Sequence, residues 1–367
     1  MSPANNASAA IHVLVVDDSA VVRQVMQAVL SQEPDMVVTV AADPLIAMHK
    51  MKAKRPDVIL LDLEMPRMDG LTFLRKLMAE NPIPTLVCSG VAGEGTATAL
   101  RALDEGALGI VTKPKLGVRD FLHESALMLI DMVRSAAQAR IRPRGSTLSP
   151  ERRRFLAVRS EAYTTIASAE RIIAIGASTG GTEALSEILT VLPVGMPGIV
   201  VVQHMPEHFT AAFAKRLNDL CQIEVKEGED GDPIIPGRAI IAPGNRHLSV
   251  LRSGRSYRVS ISDGPLISRH RPSVDGLFRS VAASAGTNAL GVILTGMGSD
   301  GAAGMLEMKR AGARTVAQDE STSVVFGMPK EAIALGAVDS VLALSSISGM
   351  ILSWAHREKL ELHLPHV

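Results

Sequence analysis

Short runs of aliphatic and β-branched residues alternate with amphipathic helical patterns along residues 11–130. Such runs are typical of strands buried on both faces, and parallel neighbours of that kind need a crossover helix between them. Five strand–helix units in this segment therefore predict a doubly wound parallel sheet, an α/β fold. We expect the strands at residues 12–16, 36–40, 58–61, 84–88 and 108–111, with helices such as 19–32 and 70–80 between them.

A second strand–helix series begins at Arg171 and ends near residue 355. Its apolar runs lie at 171–175, 198–202, 239–242, 291–295 and 314–317, and each precedes a glycine-rich or polar turn. They predict a second doubly wound parallel-sheet domain. A chain of 367 residues with 47% apolar content is long enough, and apolar enough, for two domains with separate cores.

The segment between the two series, residues 131–168, has no sustained apolar periodicity. It mixes proline, glycine and serine with a cluster of arginines at 134, 140, 142, 144, 152, 153 and 154. This composition predicts a solvated linker, and docking to an acidic partner is the alternative. The predicted organisation is therefore a domain at 10–130, a linker at 131–168 and a domain at 169–355.

Bulk composition excludes several classes of protein. The 38 basic and 38 acidic residues cancel, and aromatic residues make up only 3%, so nucleic-acid binding is not expected. The two cysteines, Cys88 and Cys221, form no ligand cluster and favour a reduced, cytoplasmic setting. The first ten residues lack the features of a signal peptide, and no apolar run approaches the roughly 20 residues of a membrane span, so membrane insertion is not expected either.

Acidic residues follow two strands of the first predicted sheet. Asp17 and Asp18 come directly after the first strand, and Asp62 comes after the third. Lys113 follows the fifth strand and Ser89 the fourth, so all five side chains are expected at one sheet edge, where ligands bind in such folds. Carboxylate oxygens suit Mg²⁺, while the ammonium and the hydroxyl suit phosphoryl oxygens. A single strand-end aspartate is more often a helix cap, but the set as a whole favours a cation and phosphoryl site.

Three segments of this region resemble the receiver domain of bacterial response regulators, which has a flavodoxin-like fold. The segments are Val15–Ser19, Asp62–Gly70 and Thr112–Pro114. The resemblance covers residues 10–130 and implies that Asp62 accepts a phosphoryl group from a histidine kinase of the chemotaxis type. It also implies that Asp17, Asp18 and Asp62 hold Mg²⁺ together with the backbone carbonyl of Glu64.

The same resemblance implies that Ser89 and Lys113 sense the phosphoryl state. One position departs from the receiver pattern, because Ile110 stands where many receivers carry an aromatic residue three positions before the lysine. Rotamer switching of a buried aromatic is therefore not expected. We expect the signal to travel through movement of the Ser89 and Lys113 loops.

The second domain opens with a strand, a tight glycine turn and a helix, and Ser178 lies in the turn. Glycines allow close backbone approach there, and the amides at a helix start favour negative charge. A serine in this position could be a nucleophile beside an oxyanion hole. A phosphate-binding turn and a plain helix cap are the alternatives at this point.

Two other strand ends in this domain carry a histidine and an aspartate. His204 follows the run at 198–202, and Asp300 follows the run at 291–295 in a second glycine-rich turn. A lone histidine after a strand is usually structural, but serine, histidine and aspartate at one sheet edge form an arrangement for acyl transfer. His204 would take the proton of Ser178, and Asp300 would hold the imidazole tautomer. Backbone amides near Thr179 and Met297 are candidate oxyanion donors.

The chain order serine, histidine, aspartate and the absence of a Gly-x-Ser-x-Gly elbow disfavour an α/β-hydrolase. The domain instead resembles the Rossmann-like catalytic domain of the chemotaxis protein-glutamate methylesterases, the CheB family. The similar segments are Gly176–Gly181, Gln203–Pro206, Ile241–Leu248, His270–Asp275, Leu294–Gly301 and Ala317–Glu320. The resemblance implies hydrolysis of glutamate methyl esters on methyl-accepting chemotaxis receptors, release of methanol, deamidation of receptor glutamines, and no cofactor for the ester chemistry.

Four further residues lie in the family-like segments, namely His247, His270, Arg271 and Asp275. For each of them substrate contact and loop support remain open, and loop support is the more frequent role. Met205 and Met328 are expected in the core.

A receiver that precedes an esterase suggests control of access, and we hypothesise that the unphosphorylated receiver covers the Ser178 cleft. Three rival interpretations remain. The chain could be a binding-only regulator with a degenerate hydrolase domain, although Ser178, His204 and Asp300 are all present. It could be a transcriptional regulator, although no helix-turn-helix pattern is evident. It could also act on the receptor of a non-flagellar pathway, which shares all of the chemistry.

Overall fold

The computed structural model describes residues 10–65, 68–90, 94–113, 119–141 and 170–355. The chain divides into two compact units, Met1–Pro143 and Arg144–Val367. Among the described residues, no helix combines the length and the apolar character needed to cross a bilayer.

The first unit is built on a five-stranded sheet in the order β2-β1-β3-β4-β5, with all strand pairs parallel. Its strands are β1 (Ile11–Val16), β2 (Met36–Ala41), β3 (Val58–Asp62), β4 (Thr85–Ser89) and β5 (Gly109–Thr112). Its helices are α1 (Ala20–Leu30), α2 (Pro44–Ala53), α3 (Gly70–Glu80), α4 (Glu94–Asp104) and α5 (Arg119–Ala137). The predicted doubly wound parallel sheet is confirmed.

Local sequence explains where these helices begin. Ser19, Asp43 and Asp69 lie just before α1, α2 and α3, and each side chain accepts a hydrogen bond from a backbone amide of the first turn. Such caps satisfy amides that have no partner inside the helix. All five residues of β3 are buried, as expected for a central parallel strand.

The last helix of this unit extends past residue 130, where the sequence predicted the linker to begin. Val133 and Ala136 continue the apolar stripe of α5 and are fully buried in the core of the first unit. Arg134 donates to Glu33 and Asp35 at 2.6 and 2.8 Å, so this arginine is part of the fold. Residues 142–168 of the predicted linker lie outside the described residues, as do Pro66, Arg67 and Pro114 of the receiver-like segments.

The second unit contains a seven-stranded parallel sheet in the order β15-β14-β13-β6-β7-β10-β8. Its strands are β6 (Ile172–Ala177), β7 (Gly198–Gln203), β8 (Glu224–Glu227), β10 (Arg238–Ile241), β13 (Ala289–Ile293), β14 (Arg314–Gln318) and β15 (Ser340–Leu342). Its helices are α6 (Gly181–Leu189), α7 (Phe209–Leu220), α8 (Val274–Ala285), α9 (Ala302–Arg310), α10 (Met328–Ala334) and α11 (Leu344–Ala355). The five predicted strands are present, and the sequence missed β8 and β15 because these edge strands are only partly buried and have no apolar run.

A small antiparallel sheet in the second unit was not predicted. It consists of β9 (Pro233–Ile234), β11 (His247–Ser253) and β12 (Ser256–Ser262), in the order β11-β12-β9. Tyr257, Val259 and Ile261 point inward at every second position of β12, and this alternation was the available signal. Val250 of β11 is hydrogen-bonded through its amide to Ser280 and through its carbonyl to Ser284, and these bonds attach the hairpin to α8.

Candidate active site

The carboxyl ends of three neighbouring strands bring the predicted serine, histidine and aspartate to one edge of the large sheet. Ser178 follows β6, His204 follows the adjacent β7, and Asp300 lies in the loop after β13 on the other side of β6. The Ser178 amide donates to the Thr295 carbonyl at 3.0 Å, and the His204 amide donates to the Ala177 carbonyl at 3.0 Å. The strand order changes direction at this point, where ligands bind in open α/β sheets.

His204 and Asp300 form a direct hydrogen bond in which Nε2–H of the ring donates to Oδ2 at 2.9 Å. The other ring nitrogen, Nδ1, is buried and has no hydrogen-bond partner within the described part of the chain. Asp300 therefore selects the tautomer in which Nδ1 carries a lone pair. Sequence reasoning expected Asp300 to hold the tautomer, and it gave no indication of which nitrogen remains available as the base.

Asp300 is held at the start of α8. Its carboxylate accepts from the Ser273 hydroxyl at 2.7 Å and from the amides of Val274 and Asp275 at 2.8 and 2.9 Å. Burial acts to raise the pKa of Asp300, but hydrogen bonding and charge interaction with His204 and the Asp275 amide outweigh it and hold the pKa below its usual value. The carboxylate is therefore ionised and can balance a positive charge on His204.

The turn that carries Ser178 depends on glycine. Gly180 has φ 77°, a left-handed conformation, and the Gly181 amide donates to the Ser178 carbonyl at 2.7 Å. Gly296 approaches from the loop after β13, and a Cβ atom there would lie 2.6 Å from Cβ of Ser178. The residue after it, Met297, therefore follows a backbone segment packed directly against the serine.

Gln203 is a site residue that sequence reasoning missed. Its side chain is buried, and its Nε2 donates to the carbonyl of Ser178 at 2.9 Å and to that of His204 at 3.0 Å. The side chain thus joins the backbone of the predicted nucleophile to that of the predicted base. A polar residue at the end of an otherwise apolar strand was the available signal.

Thr295, in the loop after β13, is hydrogen-bonded to the turn that carries Ser178. Its hydroxyl donates to the Thr179 carbonyl at 2.9 Å, and its amide donates to Oε1 of Gln318 at 2.9 Å. All three side chains are buried, so these bonds are shielded from water, and the bond to the Thr179 carbonyl fixes the peptide between Thr179 and Gly180.

Two of the four family-like residues support loops around the site. Nε2–H of His247 donates to the Pro265 carbonyl at 2.9 Å, and the guanidinium of Arg271 donates twice to Oδ1 of Asn245, at 2.8 and 3.0 Å. Asn245 has φ 61°, so these bonds stabilise a turn that an L-residue rarely adopts. Met205 and Met328 are buried, in line with the expected core placement.

Asp275 is the third supporting residue. It is buried, its Oδ1 accepts from the Gly304 amide in the first turn of α9 at 2.7 Å, and its Oδ2 accepts from the Ser268 hydroxyl at 2.8 Å. Asp300, just before α9, caps α8, and Asp275, in α8, caps α9. The two helix starts are therefore held by reciprocal carboxylate bonds.

The acidic cluster of the first unit is assembled as predicted from strand ends. Asp17 and Asp62 are buried, and Nζ of Lys113 lies 2.8 Å from Oδ2 of Asp62 and 3.5 Å from Oδ2 of Asp17. Burial raises the pKa of both aspartates. Burial also acts to lower the pKa of Lys113, but its hydrogen bond to Asp62 and the charges of both acids outweigh this and raise the pKa.

This cluster fits a hard divalent cation. Asp17, Asp18 and Asp62 each offer an oxygen, and these atoms lie within 4.8 Å of one another. The buried Oδ2 of Asp17 accepts no hydrogen bond from the described residues, which is the kind of atom a cation would satisfy. The Glu64 amide donates to Oδ1 of Asp62 at 3.0 Å, and the role of its carbonyl as a metal ligand stays a prediction.

The two remaining receiver positions lie where the sequence placed them. Ser89 ends β4 and is buried, and the Lys113 amide donates to the Ser89 carbonyl at 3.0 Å. The two side chains that the sequence predicts to sense the phosphoryl state therefore lie on adjacent, hydrogen-bonded backbone. Ile110 is buried within β5, so an aliphatic side chain occupies the position that is aromatic in many receivers.

A receiver-like acidic site and a serine–histidine–aspartate cluster on one chain are the features of a response regulator with an enzymatic output domain. Comparison with protein families agrees with this class. Residues 173–351 match the family CheB methylesterase, and residues 13–122 match the family Response regulator receiver domain.

Similar proteins align over nearly the whole chain. The chain is 57% identical over 342 residues to a protein of Anaeromyxobacter dehalogenans (strain 2CP-C) named protein-glutamate methylesterase/protein-glutamine glutaminase 5, covering 92% of this chain and 94% of that protein. It is 54% identical over 353 residues to a protein of Rhodopseudomonas palustris (strain ATCC BAA-98 / CGA009) named protein-glutamate methylesterase/protein-glutamine glutaminase of group 3 operon, covering 94% and 96%. The chain belongs to the CheB methylesterase family.

A solved structure of the same family is also similar. It is the crystal structure of the Thermotoga maritima CheB methylesterase catalytic domain, which is 39% identical and aligns with 50% of this chain and 98% of that chain, at a TM-score of 0.49.

Proposed function

We propose that this protein hydrolyses glutamate methyl esters on methyl-accepting chemotaxis receptors, deamidates receptor glutamines by the same route, and is controlled by phosphorylation of Asp62. The names of the similar proteins support the substrate class. The observation that carries the proposal is the bond from Nε2–H of His204 to Asp300 at 2.9 Å, which leaves Nδ1 as a buried base on the residue whose amide is bonded to the Ala177 carbonyl, just before Ser178.

The proposed reaction has two steps. Oγ of Ser178 attacks the ester carbonyl while Nδ1 of His204 takes the hydroxyl proton, and Asp300 stabilises the imidazolium that forms. The proton then passes to the leaving methoxide, methanol departs, and an acyl-enzyme remains. Water gives a proton to Nδ1 of His204 and attacks the acyl-enzyme, and the glutamate side chain is released as that proton returns to Oγ of Ser178. With a glutamine substrate the leaving group is ammonia.

Two backbone amides are the proposed oxyanion donors, those of Thr179 and Met297. Nε2 of Gln203 donates to the Ser178 carbonyl at 2.9 Å, and because this carbonyl shares a peptide plane with the Thr179 amide, that plane is fixed. The close approach of Gly296 to Ser178 brings the Met297 peptide to the same side chain, and its amide donates to no acceptor within the described residues. Fixed amide donors are favoured at a developing oxyanion because they need no reorganisation.

We also propose that the first unit accepts a phosphoryl group on Asp62 from a histidine kinase of the chemotaxis type. Asp17, Asp18 and Asp62 would hold Mg²⁺, with the Glu64 carbonyl, and the ion would neutralise charge on the phosphoryl oxygens. Lys113 then pairs with the modified side chain, because its Nζ already lies 2.8 Å from Asp62. The protein would act in the cytoplasm, without nucleic acid and without insertion into a membrane.

Ser178→Ala tests the proposed nucleophile. The variant should release no methanol from membranes that carry methylated receptors, because the attacking hydroxyl is gone. Ser253→Ala, a change at an exposed serine of the hairpin, should leave the rate unchanged. Turnover retained in Ser178→Ala would remove the assignment, and absence of turnover in the unchanged protein would favour a binding-only regulator.

Control of access has its own test. A coupling of a few kcal/mol is enough to shift a two-state equilibrium, and two domains joined in one chain meet at a higher effective concentration than separate proteins do. Deletion of residues 1–150 should therefore raise the basal esterase rate above that of the unphosphorylated full chain. Equal rates for the two proteins would contradict occlusion by the receiver.

A further inference from the structure

The ring of His270 lies flat on the ring of His204. The ring centroids are 3.8 Å apart and the planes differ by 5°. The proposed acyl transfer uses Ser178, His204 and Asp300, and it assigns no part to this second histidine. A parallel aromatic contact at this distance restricts the tilt of both rings.

A strained turn holds His270 in this place. Ser268 and Arg269 have φ values of 50° and 68°, and the backbones of Ile267 and His270 exchange two hydrogen bonds across them. Consecutive left-handed residues without glycine are unfavourable, so the surrounding contacts have to stabilise the turn. One such contact is the bond from the Ser268 hydroxyl to Asp275, at 2.8 Å.

The orientation of the His270 ring is fixed as well. Its Nδ1–H donates to the Ser268 carbonyl at 2.7 Å, which places the proton on Nδ1. The stacked face and this bond together leave the ring little rotational freedom. The turn, Asp275 and the start of α8 thereby connect His270 to the same helix end that holds Asp300.

The charged and polar groups that face His270 are His204, Asp300, Arg269 and the Ser268 carbonyl. Burial, followed by the charge of His204, lowers the pKa of His270 to about 4. The ring is therefore neutral near pH 7, and the stacked pair carries one positive charge at most when His204 takes a proton. A neutral π face supports an adjacent cation, whereas a second imidazolium would repel it.

A metal site is the other possible use of this cluster, because His204, His270 and Asp300 offer ligand atoms within 4.8 Å of one another. The geometry argues against it. Lone pairs of two parallel rings lie in parallel planes and do not converge on a tetrahedral ion. The oxygens of Asp300 already accept four hydrogen bonds.

We propose that His270 is a positioning residue, whose neutral ring holds the plane of the His204 imidazole and supports its protonated form during acyl transfer. The inference rests on the proposed function, since it assigns His270 a part in the same reaction. It adds that the base is oriented by two groups, a carboxylate in the ring plane and an aromatic face above it.

Three variants of the full-length protein separate the possible roles. His270→Phe keeps a flat ring but has no Nδ1–H, His270→Asn keeps an amide donor near Nδ1, and His270→Gln places an amide near Nε2. If the stacked face matters, His270→Phe should keep kcat for methanol release within about threefold. The Asn and Gln variants should lose ten- to a hundredfold in kcat with little change in KM. The acid limb of their kcat–pH profiles should also move to lower pH, because the protonated base has lost support.

A second readout does not depend on the receptor substrate. The rate at which a fluorophosphonate probe labels Ser178 reports activation of the serine by His204, and it should follow the same ranking. Labelling that is equally slow in all three variants, or unaffected in His270→Asn, would overturn the proposal. If the wild-type protein is labelled but releases no methanol, the proposed substrate is refuted, and the ranking of the three labelling rates still decides the positioning role of His270. Fluorescence of Trp354 verifies that each variant is folded.

Discussion

Acidification should destabilise the second unit through His270, and His270→Phe should remove that effect. An unfolded histidine binds a proton near pH 6.5, whereas the folded ring does so only near pH 4. The unfolded state thus binds more protons between these values, and the free energy of unfolding falls as the pH falls through them. The stability contributed by the neutral ring is fully present above pH 6.5 and is progressively lost toward pH 4.

The two pKa values set the size of the effect. At pH 5 the unfolded ring is almost fully protonated, while about nine-tenths of the folded rings are still neutral. Integration of the difference gives a loss of about 2 kcal/mol in the free energy of unfolding between pH 7 and pH 5. Phenylalanine does not titrate, so the variant should show a pH-dependent loss smaller by about this amount.

The sole tryptophan of the chain provides the assay. Trp354 lies in α11 and is buried, so its fluorescence reports the unfolding of the second unit within the intact protein. Urea titrations of wild type and His270→Phe at pH 7 and pH 5 give the four free energies, with equal m values as the check on two-state behaviour. If the free energy of unfolding falls equally in the two proteins between pH 7 and pH 5, His270 is not held neutral in the folded state. The stacked pair would then not be limited to one positive charge.

Three other changes probe the fold around the site. Asp300→Asn places an amide against four donors and should lower kcat by about a thousandfold and stability by about 1–3 kcal/mol, measured by methanol release and urea unfolding. Gln203→Met removes the side-chain donor to the carbonyls of Ser178 and His204, although the Gly181 amide still donates to that of Ser178. It should lower kcat about tenfold at nearly constant KM, and an unchanged kcat would deny the residue a positioning role. Gly304→Ala brings a Cβ within 2.8 Å of the Asp275 carbonyl and should lower the free energy of unfolding by about 1–3 kcal/mol. Gly349→Ala, with no neighbouring atom within 4 Å, should leave the free energy of unfolding unchanged or raise it. Equal effects of the two alanines would refute the steric explanation.

Parallel topology explains why so much of the site could be predicted from sequence. Ser178, His204 and Asp300 each come shortly after an apolar run, and the carboxyl ends of parallel strands meet at one edge whatever the details of packing. The same holds for Asp17 and Asp62 in the first unit. Residue type and strand position were sufficient there, and no knowledge of side-chain contacts was needed.

The remaining features depend on contacts that local patterns do not encode. The choice of Nε2 of His204 as the donor follows from how α8 and its capping bonds hold Asp300. The stack with His270 comes from a loop far away in the sequence, and no periodicity links the two residues. The antiparallel hairpin was missed for a different reason. The strand Ser256–Ser262 is buried only at alternate positions, so its sequence contains no continuous apolar run.

Under the proposed mechanism, the reciprocal carboxylate bonds between α8 and α9 make turnover depend on the order of both helix starts. Asp300 keeps its orientation only while the first turn of α8 is formed, and that turn is itself held to α9 through Asp275. Fraying of either helix start would release the carboxylate, and the orientation of His204 would be lost with it. The enzyme should therefore lose turnover on heating as soon as this junction opens, before the hydrophobic core of the second unit melts.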